Sequence, residues 1–375
     1  MLGIVVYSIG TWEGFHRRPM LEALARNLRG RGFLLIVEPP LALLEAGRQW
    51  RPAARAVLRP TEQRAENLWI ARPTVARSGR GERQAYARAV REALRRISPG
   101  ADRVAALVFR PEQSWLLGAA GEDSVIYECY DEYRVDMYGR DLPEVAAAEQ
   151  KLMAAAGVVL TTSHPLQESR SAEHPRVYYT PNGEDYGLFQ RAREPGPVAA
   201  EMQALPRPVV GYVGNFIDFL DFEGIQQVVE SCPDLSFAFV GPVSAREAAA
   251  RLQALPNARF LGVRPRSQLP GYLKGMDCAL CWLRANAFTV CQRPLTVLEY
   301  LAAGLPTVVR ASPSLDDLGD VLYLASDAGE AVASLHRALA EDRDELRDRR
   351  QARAREYDWD VLTRRSAEIL LENCG

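Results

Sequence analysis

The sequence has 375 residues, which is long for one domain and typical of two. Apolar residues make up 47% and charged residues 25%, the balance of a globular protein in water. No apolar run reaches the length of a membrane-spanning helix, and the opening MLGIVVYSIGTW lacks the basic start and cleavage site of a signal peptide. A net charge of −2 gives no general attraction to nucleic acid, so we expect no nucleic-acid partner.

Six cysteines are scattered through mostly apolar surroundings. This pattern predicts reduced thiols in a cytoplasmic protein and not a disulfide framework. Cys278 and Cys281 lie close together, but no second Cys or His pair stands near them. Because their spacing in a strand would point the two thiols to opposite faces, we predict no metal site there.

The stretch from Arg48 to Arg96 is strongly basic, with thirteen arginines and four acids. One interpretation is a solvated helical face in a chain that contains only two lysines. The other is a surface that meets an anionic membrane or a phosphorylated acceptor, which would give the protein a peripheral membrane position.

Apolar strand-like runs alternate with helical patterns in the first half, which predicts a parallel α/β sheet. GIVVYSI is the first strand, a helix begins near Pro19, and FLLIVEP is the next strand. The region 41–100 is rich in Arg and Ala, and we predict that it is mostly helical. VAALVF, SVIYECY and GVVLTTS then continue the series of strands.

A second series of strands begins near Pro208 with PVVGYVG. It continues with LSFAFVG, ARFLGV, CALCWL, PTVVR and VLYLA, separated by helical segments. The segment 178–208 between the two series is rich in Pro, Gly and charge, as is typical of a connection between domains. The sequence therefore predicts two successive doubly wound domains, which we place at residues 1–188 and 189–356.

The turn after the first strand of the second series, in VVGYVGNF, contains Gly211 and Gly214. Glycine at such a turn lets a phosphate approach the backbone beside a helix start. The dinucleotide pattern G-x-G-x-x-G is absent, so a tight turn without any ligand is an equal alternative.

The segment CQRPLTVLEYLAAG predicts a helix that begins near Pro294 and stops at Gly304. Its free N–H groups, with Arg293 beside them, would suit a diphosphate. Glu299 lies further along the helix, where a carboxylate could accept hydrogen bonds from ribose hydroxyls. The alternative for Glu299 is an ordinary surface position on an amphipathic helix.

Several of these segments together resemble family-four glycosyltransferases of the GT-B fold. YYTPNGEDYGLF is similar to their PNG-x-D-x-x-x-F signature, and PLTVLEYLAAGLPTVV resembles the segment with the second glutamate of their E-x7-E motif. GTWEGFHRRPMLEALA and VIYECYDEY resemble counterparts in a bacterial subgroup that makes cell-surface polysaccharides. The final segment, residues 357–375, resembles the last helix of the family, which crosses back to the N-terminal domain.

The resemblance implies two Rossmann-like domains that face a central cleft. It makes Glu299 the ligand of the donor ribose and places Asp131 at the cleft edge. The other implied positions face the diphosphate (Gly214, Asn215, Pro294 and Leu295), the nucleobase (Arg264 and Pro265) and the acceptor (Gly10, Thr11 and Trp12).

The sequence departs from the family pattern at three positions. Tyr130 stands where the family has the histidine of its His-Asp pair, and Asn215 stands where many relatives have a phosphate-binding arginine. Cys291 replaces the first glutamate, which accepts hydrogen bonds from the donor sugar. The replacement cations that we predict for the phosphates are Arg293 first, then Arg264 and Arg266, since a guanidinium matches phosphate geometry.

Metal and histidine chemistry receive little support from the sequence. The D-x-D patterns at 342–344 and 358–360 lie in charged helical segments, which favours surface charge and helix capping over a metal site. His16 follows the first strand on the cleft side, where it is either a general base or a turn residue. We name Asp131 and His16 as the candidate catalytic residues.

The sequence thus predicts a hexosyltransferase-type enzyme that moves a sugar from a nucleoside-diphosphate donor to a saccharide or lipid-linked acceptor. The family resemblance implies retention of the anomeric configuration, with no metal or other cofactor. Two alternatives remain open. One is a GT-B epimerase of sugar nucleotides, and the other is a non-catalytic relative that binds a nucleotide or carbohydrate.

Overall fold

The computed structural model describes residues 1–45, 50–79, 81–97 and 102–375. Two large, mainly parallel sheets follow one another along the chain, and a small two-stranded sheet falls within the sequence range of the first. The strands of the described residues are β1 (Leu2–Tyr7), β2 (Gly32–Val37), β3 (Leu41–Ala42), β4 (Thr61–Ala65), β5 (Leu68–Ala71), β6 (Thr74–Val75), β7 (Arg103–Val108), β8 (Ser124–Cys129), β9 (Val158–Thr161), β10 (Val177–Tyr179), β11 (Val209–Val213), β12 (Ser236–Val240), β13 (Ala258–Gly262), β14 (Cys278–Cys281), β15 (Thr307–Arg310) and β16 (Tyr323–Ala325).

Helices lie between most of these strands and cover both sheets. Their bounds are α1 (Arg18–Leu28), α2 (Trp50–Leu58), α3 (Glu82–Ile97), α4 (Pro143–Ala155), α5 (His164–Ser171), α6 (Tyr186–Phe189), α7 (Ala200–Gln203), α8 (Phe222–Ser231), α9 (Arg246–Gln253), α10 (Leu269–Leu273), α11 (Leu295–Ala302), α12 (Ala328–Glu341), α13 (Asp344–Arg355) and α14 (Trp359–Cys374). Among the described residues, none of these helices is long and apolar enough to cross a membrane.

The first sheet has the order β10-β9-β8-β7-β1-β2-β5-β4 and is parallel except for its last pair, β5 and β4. All six residues of β1 are buried, as are all six of β2, because helices cover both faces of the sheet. The strand order reverses between β1 and β7, which makes this pair the switch point of the sheet.

The second sheet has the order β13-β12-β11-β14-β15-β16 and is parallel throughout. Its switch point lies between β11 and β14. Each strand-like run of the second series forms one of these strands, so the prediction of a second doubly wound unit is confirmed. We call the first sheet with its helices the first unit, and the second sheet with its helices the second unit.

The prediction that 41–100 is mostly helical was wrong in part. Helices α2 and α3 are present, but β5 pairs in parallel with β2 and β4 adds an antiparallel edge. The Arg- and Ala-rich composition favours helix locally, and pairing at the sheet edge overrides that preference. Residues 48, 49 and 80 of the predicted basic stretch lie outside the described residues.

The chain crosses between the units twice, at 180–185 and at 356–359. Glu184 donates its backbone N–H to Tyr357 O at 2.9 Å, and Trp359 N–H donates to Glu184 O at 3.2 Å. Helix α14 then packs on α1 in the first unit. The boundary that we predicted after residue 188 falls inside α6, which packs on α10 and α11 of the second unit.

The two crossings touch so closely at Gly183 that no side chain fits. A Cβ there would lie 2.7 Å from Tyr357 O and 2.8 Å from the Trp359 ring. We expect Gly183→Ala to lower the free energy of unfolding by about 1–3 kcal/mol, the usual effect of overpacking, in urea titrations. The matched control is Gly10→Ala, because a Cβ at Gly10 meets nothing within 4 Å. Equal stability of the two variants would contradict this account of the crossing.

Candidate functional site

The carboxyl ends of the two sheets face one another across a cleft. Gln292, in the loop after β14, donates from Nε2 to Asp131 Oδ1 beyond β8 at 2.6 Å. In the same way Asn286 Nδ2 donates to Met137 O at 3.0 Å. Both bonds join the second unit to the first, so the loop after β14, at the switch point of the second sheet, meets the segment that follows β8 of the first sheet.

The second unit contributes the start of helix α11, which lies against the end of β11. Thr296 Oγ1 donates to Val213 O at 2.8 Å, and Val213 N–H donates to Tyr300 Oη at 2.7 Å. Pro294 is the extended residue before the helix, and the N–H groups of Leu295 and Thr296 have no acceptor among the described residues. This helix start, with its partial positive charge, suits an anion.

Gly214 forms the turn after β11, as predicted, next to this helix start. A Cβ at Gly214 would lie 2.6 Å from Tyr212 Oη, and one at Gly241 would lie 2.0 Å from Gly214 O. The turns after β11 and β12 therefore approach each other at a distance that only glycine permits. Asn215 follows in the same turn, and its carbonyl accepts from Tyr212 Oη at 3.4 Å.

Glu299 is a buried residue of α11 and not the surface position of the alternative interpretation. Arg266 NH1 lies 2.8 Å from Glu299 Oε1, and its guanidinium also lies 4.8 Å from the centre of the Phe189 ring. Burial raises the pKa of Glu299, and Arg266 opposes this shift. The carboxylate is thus held next to a cation that is itself about half exposed.

Arg264 and Pro265 border an open cavity of about 670 Å³ beside the connection between the units. Arg264 pairs with Glu201 at 2.8 Å and also donates to Tyr272 Oη. These contacts hold the Arg264 guanidinium against Glu201 and Tyr272. Arg266, two residues on, contacts Glu299 instead, so it is the cation of this loop at the predicted ribose position.

Arg293 does not stand free beside the helix start, contrary to our prediction for the diphosphate. Its side chain is fully buried and pairs with Asp317 Oδ1 at 2.7 Å, while NH1 donates to Ser314 O at 2.9 Å. The guanidinium also stacks on the Tyr357 ring, 4.7 Å from its centre. Arg293 is therefore committed to internal partners, and binding a phosphate would break a buried ion pair.

Cys291, at the position of the first family glutamate, packs into the core of the first unit and does not line the cleft. Leu166 of α5 belongs to the same buried cluster, and the partly buried Tyr133 packs against that cluster. Burial raises the pKa of the Cys291 thiol to about 11, so it stays protonated. All six cysteines are buried and free, in agreement with the expectation of reduced thiols.

A cavity of about 340 Å³ lies between the loop after β14 and the end of β15. Pro294 and Gln292 line it on the side of α11. Its other polar lining residues are Arg284, Asn286, Thr289, Arg310 and Ser312. The cavity thus lies next to the helix start and next to the residue that bonds to Asp131.

The first unit contributes Asp131 and His16. Burial raises the pKa of Asp131 to about 6, against the opposing effects of Gln292, Arg17 and Arg110. Desolvation, with Arg17 and Arg110 nearby, lowers the pKa of His16 to about 4. His16 is therefore neutral at pH 7, and its ring meets the Tyr130 ring edge-on with centres 5.2 Å apart.

The three predicted acceptor residues occupy different environments. The Trp12 side chain is buried in the first core, and the backbone N–H of Trp12 donates to Glu38 Oε1 at 2.8 Å. Thr11 is exposed, and Gly10 is half-buried with open space beside it. Gly10 and Thr11 are thus accessible at the switch point, whereas the Trp12 side chain supports the loop from below.

A chain of buried and partly buried polar contacts that sequence reasoning missed joins the two halves of the site. Glu128 pairs with Arg17 at 2.7 Å, and Arg17 NH1 donates to Asn182 Oδ1 at 2.6 Å. Asn182 then donates to Arg293 O at 3.2 Å. Asn182 belongs to the PNG signature, but nothing in the sequence pairs it with Arg17.

Metal ligands do not gather in the part of the chain that the structure describes. Of the two D-x-D patterns, Asp358 caps α14 by accepting from Asp360 N–H at 2.9 Å. Asp342 is nearly buried and pairs with Arg347 and Arg350. Capping was predicted for these segments, while the buried pairing of Asp342 was not.

Residues 207–342, most of the second unit, match the family model described as glycosyl transferases group 1. The chain is also 28% identical over 264 residues to TuaH of Bacillus subtilis (strain 168), which is named as a teichuronic acid biosynthesis glycosyltransferase. That alignment covers 64% of this chain and 65% of the relative, so the chain spans just under two thirds of that protein.

Solved structures show the same fold over nearly the whole chain. Sucrose-phosphate synthase from Thermosynechococcus elongatus aligns over 99% of both chains, with a TM-score of 0.69 and 15% identity. An Escherichia coli trehalose-6-phosphate protein bound to UDP-2-fluoro glucose has a TM-score of 0.71 at 12% identity, over 99% of both chains. Anabaena Alr3699/HepE in complex with UDP aligns over 99% of this chain and 100% of the other, with a TM-score of 0.67 and 14% identity. The chain has the GT-B fold that we predicted.

The raised pKa of Asp131 predicts a pH-dependent contribution to stability. The protonated form is favoured by burial, so its contribution is complete below about pH 3.8 and is lost as the pH rises through about 6. We expect Asp131→Asn to equal the wild type near pH 4 and to be more stable by about 1–2 kcal/mol at pH 8, discounted for partial exposure.

Urea unfolding between pH 4 and pH 8 measures this difference. Asp136→Asn is the control from the same segment, because Arg140 lowers the pKa of Asp136 and reverses the sign. A stability difference for Asp131→Asn that does not change with pH would contradict the burial of its charge.

Proposed function

We propose that this chain, whose residues 207–342 form a glycosyl transferases group 1 domain, transfers a sugar from a nucleoside-diphosphate donor to an acceptor in the first unit. The observation that carries the proposal is the placement of α11. Its free N–H groups lie beside Gly214 at one switch point, with the buried acid Glu299 further along the helix. That arrangement offers a diphosphate site and a hydroxyl acceptor in one element.

The donor is held by backbone groups and by Glu299 in this proposal. The diphosphate lies against Gly214 and the N–H groups at Leu295, while Glu299 accepts hydrogen bonds from the ribose. The nucleobase lies near Arg264 and Pro265. The cavity beside Pro294 and Gln292 provides space for the sugar. The contact that a glutamate at position 291 would make with the sugar is absent from this proposal.

Uridine diphosphate and its sugars are the first donors to test. The Anabaena neighbour is described in complex with UDP, UDP-glucose, and UDP with glucose, and the Escherichia coli neighbour with UDP-2-fluoro glucose. Those ligands belong to the neighbours, and the low sequence identity limits the comparison to the fold. They support uridine nucleotides as the first donors to test.

The reaction breaks the bond between the sugar C1 and the diphosphate oxygen and forms a bond from C1 to an acceptor hydroxyl oxygen. The helix start stabilises the negative charge on the leaving diphosphate. In a retaining front-face reaction the leaving diphosphate takes the acceptor proton. His16 is neutral at pH 7, which is compatible with this course. Asp131, which bonds to Gln292 across the cleft, orients the acceptor.

The acceptor in this proposal is a saccharide or lipid-linked saccharide of the cell surface. The Bacillus subtilis relative is named for teichuronic acid biosynthesis, which supports a surface polysaccharide. A peripheral membrane position is supported by exposed apolar side chains around the basic stretch, where Leu44 is 71% and Leu58 79% exposed. Arginines in the same stretch would meet anionic headgroups.

Isothermal titration calorimetry with UDP, GDP and ADP tests the donor site. We expect one nucleotide to bind, and Glu299→Gln to weaken its binding by about tenfold, because a hydrogen bond to a charged group is lost. Glu247→Gln, an exposed substitution on α9, serves as the control and should bind like the wild type. Absence of binding for every nucleotide would refute the proposed function.

Product analysis tests the reaction itself. With the matching sugar nucleotide and a surface-saccharide acceptor, NMR of the product should show the donor's anomeric configuration, and EDTA should leave the rate unchanged. An inverted product would overturn the front-face course. Conversion of the donor without any acceptor would indicate the epimerase alternative, and nucleotide binding without transfer to any acceptor would favour a non-catalytic protein.

A further inference from the structure

Glu184 is the most isolated buried charge group near the candidate donor site. The residue is 1% exposed, and neither carboxyl oxygen has a hydrogen-bond partner among the described residues. It lies in the PNGED segment, between the glycine of that signature and Asp185, which caps α6. A buried carboxyl without a partner is costly, so its presence calls for a function.

The backbone around Glu184 is fixed on both sides. Its N–H donates to Tyr357 O and its carbonyl accepts from Trp359 N–H. Gly183 lies too close to Tyr357 and Trp359 to carry a side chain, and Asn182 is held by Arg17. The segment therefore has no freedom to swing the carboxyl out to solvent.

Two of the four charged groups around the Glu184 carboxyl, Glu299 and Arg266, belong to the donor site. Burial, followed by the nearby charges of Glu299 and Asp358, raises the pKa of Glu184 well above its usual range. Arg266 opposes this shift, and Asp185 adds to it weakly. Burial thus favours the protonated form of Glu184, which can both donate and accept a hydrogen bond.

Arg266 lies against Glu299, one of these two acids. Its guanidinium pairs with Glu299 at 2.8 Å and rests on the Phe189 ring, yet the side chain is 49% exposed. Because the Glu299 carboxylate is buried, displacement of Arg266 has to be offset by new hydrogen bonds to that carboxylate, which ligand hydroxyls can supply. Its movement would open the acids to the cleft.

We propose that Glu184 is a second carboxyl arm of the ribose subsite, which works with Glu299 and is covered by Arg266 until a nucleotide binds. This inference rests on the proposed function, because it names a further ligand of the same donor. The two ribose hydroxyls replace the guanidinium. One donates to the Glu299 carboxylate, and the other exchanges a hydrogen bond with the Glu184 carboxyl.

The test compares protein variants and nucleotides in one cycle. Calorimetry measures the Kd of the nucleoside diphosphate that the wild type binds and of its 2′,3′-dideoxy analogue. We expect Glu184→Val to weaken the ribonucleotide by about 5- to 10-fold and the dideoxy analogue by less than about twofold, as for one hydrogen bond. Glu184→Gln keeps a donor and an acceptor in the same volume and should stay within about threefold of the wild type.

The outcomes separate the two proposals. If the wild type binds no nucleoside diphosphate, the proposed function fails and this inference falls with it. If the wild type binds but Glu184→Val weakens both nucleotides equally, or neither, only the ribose role of Glu184 is overturned. Equal weakening of both nucleotides would mean that Glu184 stabilises the crossing between the units and does not contact the ribose. Thermal unfolding of each variant reports whether the fold is retained.

Discussion

The geometry of this protein depends on the pairing of its two inter-unit crossings. The backbone bonds between Glu184 and the 357–359 segment tie the outgoing and returning chain together. Asn182 extends this connection to both units, since it contacts Arg17 on one side and the carbonyl of Arg293 on the other. With the crossings fixed, the carboxyl ends of the two sheets face each other, and residues far apart in sequence share one cleft.

The cleft distributes its charges in an unexpected way. Arg293 and Arg264 are occupied by Asp317 and Glu201, so neither is available at the start of α11. Positive character at that point comes from backbone N–H groups and the helix dipole instead. These groups carry no counterion and need no side-chain ordering, which makes a backbone site a physically adequate substitute for the missing basic residues of the turn after β11.

Contact between the units also explains why position 291 carries a cysteine and not a glutamate. Cys291 packs against the first unit, and the neighbouring Gln292 bonds to Asp131. The loop after β14 therefore serves as a docking element between the units. A small apolar thiol suits a buried docking position, because a carboxylate there would lose its hydration without gaining a partner.

The sequence by itself determined the elements: the buried strands β1 and β11 and the helix that begins near Pro294 and stops at Gly304 follow from local apolar patterns and turn residues. The strand order, and with it the two switch points, was decided by the tertiary structure. The region 41–100 was mispredicted where sheet pairing overrode local preference. Only the tertiary structure decided where Arg293, Cys291 and Glu184 point. Periodicity sets which face of an element a residue occupies, but burial and charge pairing depend on segments that meet only when both units fold.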